Sequence, residues 1–184
     1  ANKNNKLNFK LIKDIAKICN MPLTVSGSIN SLEIAEELFD CGIDKLMIRS
    51  LFHENIKMVD KIANKFGNQS IISCIDYIGS QHNAKCIYGN DNNKIGLKVD
   101  KFIKQIDNLG VGEILLNSVD NDGLMSGFDL DTFKIVKNLT KKPIILSGGC
   151  GSLIHALNAF QLGASAIAAG SLFYWVGESI ISLK

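Results

Sequence analysis

The chain has 184 residues, 46% of them hydrophobic and 21% charged, and a formal net charge of +2, enough for one globular domain over residues 1–184 and no sign for or against a polyanionic partner. Five cysteines (Cys19, Cys41, Cys74, Cys86 and Cys150) are odd in number and lack C-x-x-C spacing, which points to reduced thiols ahead of a disulfide framework or zinc. No apolar run is long enough to span a bilayer and no secretory leader opens the chain, so the expectation is a cytoplasmic protein with no membrane and no nucleic-acid partner.

Leu7, Phe9, Leu11, Ile12, Ile15, Ala16 and Ile18 recur at helical spacing and predict an amphipathic helix of about three turns. Residues 22–25 form a short strand ending at Ser26-Gly27-Ser28, and Ser31 caps a helix that stops near Gly42. Residues 45–48 are the next strand, tipped by Arg49, the only arginine among twenty basic residues, and by Ser50; a helix over 54–66 follows. Residues 70–75 are a strand tipped by Asp76. The polar segment 77–96 carries only a short β-like piece around Cys86, Ile87 and Tyr88, and a loop of that length in a compact domain is more often functional than idle.

Residues 99–109 are helical and run into the apolar strand 113–119, which breaks abruptly into Asp120, Asn121, Asp122 and Gly123. Ser126 and Gly127 lead into a helix with Asp129 or the residue next to it as its N-cap. The strand 143–146 ends at Ser147-Gly148-Gly149-Cys150-Gly151, a helix covers 152–162, and 164–169 ends at Gly170-Ser171. In parallel α/β proteins chemistry collects on loops at the carboxyl ends of strands, so 117–126, beginning at Asn117, is the first candidate site.

Strands alternating with helices demand a parallel sheet, either open and doubly wound or closed as a barrel. An open sheet concentrates its site at one switch point, whereas here nearly every strand ends in small or polar residues, which favours the barrel. Six units are present where a (β/α)8 barrel has eight.

The glycine-rich tips suggest phosphate. Ser147, Gly148, Gly149 and Cys150 precede a helix, so backbone amides there suit an anion, and Gly170-Ser171 on the next strand offers a second wall. Gly27 and Ser28 with Arg49 and Ser50 repeat the arrangement on another pair of strands, so a substrate with a phosphate at each end fits. One isolated glycine pair is more often a tight turn, but paired tips at two places reverse those odds. For Arg49 the plain alternative is a surface salt bridge.

Asp76 and Asp122 lie between the two, and paired carboxylates divide acid and base roles when their environments separate them. Asp122 also suits an ordinary turn; Asp76, directly after an apolar strand, has to be capped or used. His53, His82 and His155 show no metal or triad spacing and read as surface or helix decoration. No metal and no cofactor is expected.

The segments PLTVSGSI at 22–29, GEILLNSVDNDG at 112–123 with SGFD at 126–129, SGGCGS at 147–152 and AAGSLF at 168–173 together resemble the cyclase subunit family of imidazole glycerol phosphate synthase, over essentially the whole chain and in the same order. The resemblance implies a (β/α)8 TIM barrel with two phosphate sites. It implies a heterodimer with a glutaminase subunit, whose ammonia is joined to a bis-phosphorylated ribulosyl carboxamide nucleotide in histidine biosynthesis. By the same resemblance Asp76 matches the second catalytic carboxylate and Asp122 a supporting acid. Gly123, Gly149, Cys150 and Ser171 match one phosphate site, and Gly27, Ser28, Arg49 and Ser50 the other.

Against that pattern the chain begins after the second strand, so about six of eight units and only one of two catalytic aspartates are expected. Arg49 stands where the family usually has Asn, Met47 where a small polar residue is common, and Ser26 and Ser28 interrupt a glycine triplet. The opening residues 1–9 and the ending AAGSLFYW resemble a paralogous branch linked to acetamidino groups on surface-polysaccharide sugars, which also pairs with a glutaminase-like subunit. A non-catalytic docking partner of a glutaminase is a third expectation.

Overall fold

The computed structural model describes residues 7–89 and 92–175, so most of the opening stretch 1–9 lies outside it. Contacts cluster in two compact units, one of residues 1–73 with 109–112, the other of residues 74–108 and 113–184.

The first unit opens with helix α1 (Phe9–Ile18), capped by Asn8, whose Oδ1 accepts from the Leu11 amide at 3.0 Å. Strand β1 (Thr24–Ser26), helix α2 (Leu32–Asp40) and strand β2 (Lys45–Ile48) follow, with Ser31 Oγ accepting from the Ile34 amide at 3.3 Å as the sequence predicts. Instead of one helix over 54–66 there are two: α3 (Leu51–Glu54) and α4 (Ile56–Phe66), separated by Asn55 at φ −153°. Val25 pairs with Leu46, and Met47 with Ile72 at the start of β3 (Ile71–Ile78), all parallel. Leu38, Leu46, Val59, Ile62 and Ile71 are fully buried, and Phe39 stacks on Phe66 at 4.1 Å. Burial of that apolar set is what holds this unit's sheet against its helices.

The second unit takes the rest of β3. Here the sequence expectation needs correction: the strand does not stop at Ile75 and the following segment is not an open loop. Asp76, Tyr77 and Ile78 continue β3 and pair antiparallel with β4 (Lys85–Tyr88), which pairs antiparallel with β5 (Lys94–Lys98). Helix α5 (Val99–Ile106) leads back to β6 (Glu113–Ser118), and α6 (Leu130–Lys137), β7 (Ile144–Ser147), α7 (Leu153–Gln161), β8 (Ala166–Ile167) and α8 (Ser171–Trp175) complete the alternation.

Leu115 pairs with Ile145 and Leu146 with Ile167, both parallel, and β6 adjoins β3 through the Val119 amide donating to the Tyr77 carbonyl at 3.0 Å. Ile114, Leu116, Phe102, Ile103, Ile106, Phe133 and Val136 form this unit's buried core. Among the described residues β1 and β2 pair parallel, as do β2 and the start of β3, β6 and β7, and β7 and β8, with helices between successive strands, the units of a partial (β/α)8 TIM barrel.

Candidate functional site

The register of β6 with β7 sets Asn117 opposite Ser147, so the two strands end flush and their loops leave together. Gly148 and Gly149 follow with φ of +85° and +103°. A Cβ on Gly148 would lie 2.3 Å from the Ser118 carbonyl oxygen, and one on Gly149 2.1 Å from that of Gly127. Both the torsion and the space therefore demand glycine here. The Gly127 amide donates to the Gly149 carbonyl at 2.7 Å, stitching this tip to the loop after β6.

These loops enclose a cavity of about 320 Å³ lined by Asp122, Gly123, Ser147, Gly148, Gly149, Cys150, Ala168, Ala169, Gly170 and Ser171. Eight candidate residues, all but the two alanines, thus come together around one hollow. Its wall is mostly small side chains and backbone, the composition that lets amide N–H groups approach an anionic oxygen closely. Burial pushes the Cys150 thiol pKa up, and its Sγ–H points to the Ser152 carbonyl at 4.0 Å. Cys86, buried on β4, is pushed up to about 12 for the same reason and stays a thiol.

The Asp120 to Gly123 run divides its labour. Asp120 Oδ2 accepts from the Gly79 amide at 2.7 Å, tying the end of β3 to the loop after β6, while exposed Asp122 faces the cavity. Beneath, Tyr77 Oη donates to Asp129 Oδ2 at 3.2 Å, and Asp129 also caps α6 through the Thr132 amide at 3.0 Å. Burial and then the Asp129 charge push the Tyr77 pKa up, so its phenol remains a donor.

Asp76 is placed differently from the expectation. It is not a strand tip but sits within β3 opposite Ile87 of β4, only 8% exposed, and it is not among the residues lining the cavity. Its Oδ1 accepts from Asn117 Nδ2 at 2.9 Å and from the Cys74 thiol at 3.7 Å. Asn117 is not among the lining residues either, but it adjoins one of them: a Cβ on Gly148 would lie 3.1 Å from its Oδ1.

In the first unit, Ser26 pairs with Met47, so Gly27 and Ser28 leave β1 at the end where Arg49 and Ser50 leave β2. Gly27 and Ser28 have φ of +96° and +53°, and among the described residues, the adjacent ones aside, no heavy atom lies within 4 Å of a Cβ built on Gly27.

Two histidines depart from the reading as decoration. His155 Nδ1 accepts from the Gly151 amide at 3.1 Å, holding the turn that ends the glycine tip; a histidine four residues past a loop glycine was the available signal. His53, in α3, is half-buried, and burial, with Arg49 nearby, pulls its pKa down to about 4 against the opposing pull of Glu54.

Parallel β/α units with a glycine- and serine-lined hollow at the carboxyl ends of β6, β7 and β8 define a protein of the (β/α)8-barrel class. The chain belongs to the histidine biosynthesis protein family, which matches residues 1–177. It is 36% identical to a Leptospira borgpetersenii protein named "Putative imidazole glycerol phosphate synthase subunit HisF", over 96% of this chain and 71% of that one. It is 38% identical to a Vibrio vulnificus (strain YJ016) protein named "Putative imidazole glycerol phosphate synthase subunit hisF3", over 92% of this chain and 66% of that one. It is 34% identical to the imidazole glycerol phosphate synthase subunit HisF of Thermotoga sp. (strain RQ2), over 97% and 71%. The chain thus spans about two thirds to seven tenths of the length of these relatives.

Proposed function

We propose that this chain is the cyclase part of an imidazole glycerol phosphate synthase-type lyase, using ammonia delivered by a glutaminase partner. Its substrate on this reading is a bis-phosphorylated ribulosyl carboxamide nucleotide. The observation that carries the reading is the cavity that gathers Gly123, Ser147, Gly148, Gly149, Cys150, Gly170 and Ser171, with Asp76 hydrogen-bonded to Asn117, the residue paired with Ser147. One phosphate of the substrate occupies that hollow, held by backbone amides at the tips of β7 and β8; the other is held by Gly27, Ser28, Arg49 and Ser50. Asp76 moves the proton during addition of ammonia and ring closure, and Asp122 at the cavity rim supports the developing polar group. The chemistry requires no metal or cofactor on this reading.

A second reading is favoured by one residue. Arg49 places a fixed charge and a bidentate fork where the histidine-pathway pattern has a neutral amide, which suits a different ligand in a paralogue supporting amidination of a surface-polysaccharide sugar. The complete gene should be tested for rescue of a histidine auxotroph lacking the cyclase. Rescue supports the first reading and leaves Arg49 a variant phosphate ligand. Failure, together with failure of Arg49→Asn to create turnover of the histidine-pathway nucleotide, favours the second.

A further inference from the structure

We infer that Asn117 is a positioning residue for the Asp76 carboxylate, fixing its rotation through Nδ2. The inference rests on the assignment of Asp76 as the proton-transfer group. At 2.9 Å from Asp76 Oδ1, an oxygen in place of Nδ2 would set two acceptors against each other, so the amide has one permitted orientation. That orientation turns Asn117 Oδ1 away from the carboxylate, where it is buried without a hydrogen-bond donor among the described residues. A Cβ at position 148 would approach it to 3.1 Å. An acceptor left unsatisfied in a buried place is costly, and an aliphatic side chain would avoid that cost. What Asn117 gains in return is the hydrogen bond to Asp76. Its partner atom lies on a neighbouring strand, so the bond also fixes the carboxylate relative to β6, the strand whose loop carries Asp122 and Gly123.

The role predicts a rank order that a space-filling role does not. Asp has the shape of Asn but no donor, and it would set a second carboxylate against Asp76; Ala merely removes the amide. If Asn117 positions Asp76, ammonia-dependent kcat should fall about 10-fold in Asn117→Ala and about 100-fold in Asn117→Asp, with KM within about threefold in both. If Asn117 only fills space, Asn117→Leu, which keeps the volume without a donor, should keep kcat while Asn117→Ala loses it; that outcome, or unchanged kcat in both Ala and Asp, overturns the inference.

Asp76→Asn, assayed alongside, separates this inference from the assignment beneath it. If Asp76→Asn keeps turnover, the assignment of Asp76 fails; if it loses turnover while Asn117→Asp does not, only the role of Asn117 fails. The exchanged pair, Asp76→Asn with Asn117→Asp, controls for misfolding because it re-forms an amide–carboxylate hydrogen bond with the charge moved to β6. Its melting temperature should return toward that of the parent while turnover stays lost; a melting temperature that remains at the Asn117→Asp value counts against the bond.

Discussion

At the scale of single residues, His53 gives the protein a signed pH response. An unperturbed histidine titrates near 6.5, but burial lowers His53 to about 4, so between these values the unfolded chain binds a proton that the folded chain does not. Stability should therefore fall as pH drops through that window, and His53→Gln should flatten the fall. Melting temperatures of the two proteins from pH 4 to 7 check this, and equal slopes would show that His53 is not the group responsible. Gly149 is a second single-residue test. A methyl there meets the Gly127 carbonyl at 2.1 Å and forces a side chain into φ of +103°, a backbone strain of roughly 1–3 kcal/mol. Gly149→Ala should lower the melting temperature and weaken inorganic phosphate binding by calorimetry; unchanged phosphate affinity would remove the glycine tip from the site. The torsional need for glycine was legible in Ser147-Gly148-Gly149, but which backbone crowds it was not, because Gly127 is more than twenty residues away.

At the scale of elements, caps and turns carried the clearest sequence signals. Ser31 and Asp129 both cap the helices predicted for them, since a side-chain acceptor before an apolar period satisfies orphan amides locally. Asp129 does more, because Tyr77 Oη and Thr132 Oγ1 both donate to its Oδ2. Asp129→Ala should cost about 1–2 kcal/mol from the cap and more from the lost Tyr77 hydrogen bond, read as a lower urea midpoint. A midpoint within error of wild type would contradict the network. The β4–β5 hairpin was not legible beyond its first strand. Lys94, Ile95, Gly96, Leu97 and Lys98 leave Ile95 and Leu97 exposed, so the apolar alternation does not mark a core face. Asp76 was misplaced for a related reason: its strand is prolonged by antiparallel pairing with β4, a partner that local sequence does not announce. The break at Asn55 carries neither proline nor glycine and leaves the helical period intact on both sides.

At the scale of the whole molecule, strand order and tip chemistry were readable because a parallel β/α chain repeats one pattern: an apolar strand, a small or polar tip, an amphipathic helix. What remained hidden was how tips combine, since the 320 Å³ hollow depends on the register that sets Asn117 opposite Ser147. The outer face of one helix also escapes the pattern. Leu153, Ile154, Leu157 and Phe160 of α7 are 44–55% exposed, an apolar stripe of the kind that drives association. The 184-residue chain should therefore self-associate in light scattering, and Leu157→Gln with Phe160→Gln should reduce its mass; a concentration-independent monomer in the parent would contradict this. The claim on which the functional account turns is that Asp76 performs the acid–base step, and ammonia-dependent turnover of the ribulosyl nucleotide by the protein of the complete gene tests it most directly. The account predicts turnover in the wild type, and in Asp76→Asn a loss of kcat of about 100-fold or more with KM nearly unchanged. Turnover retained in Asp76→Asn, or a raised KM at unchanged kcat, would contradict it.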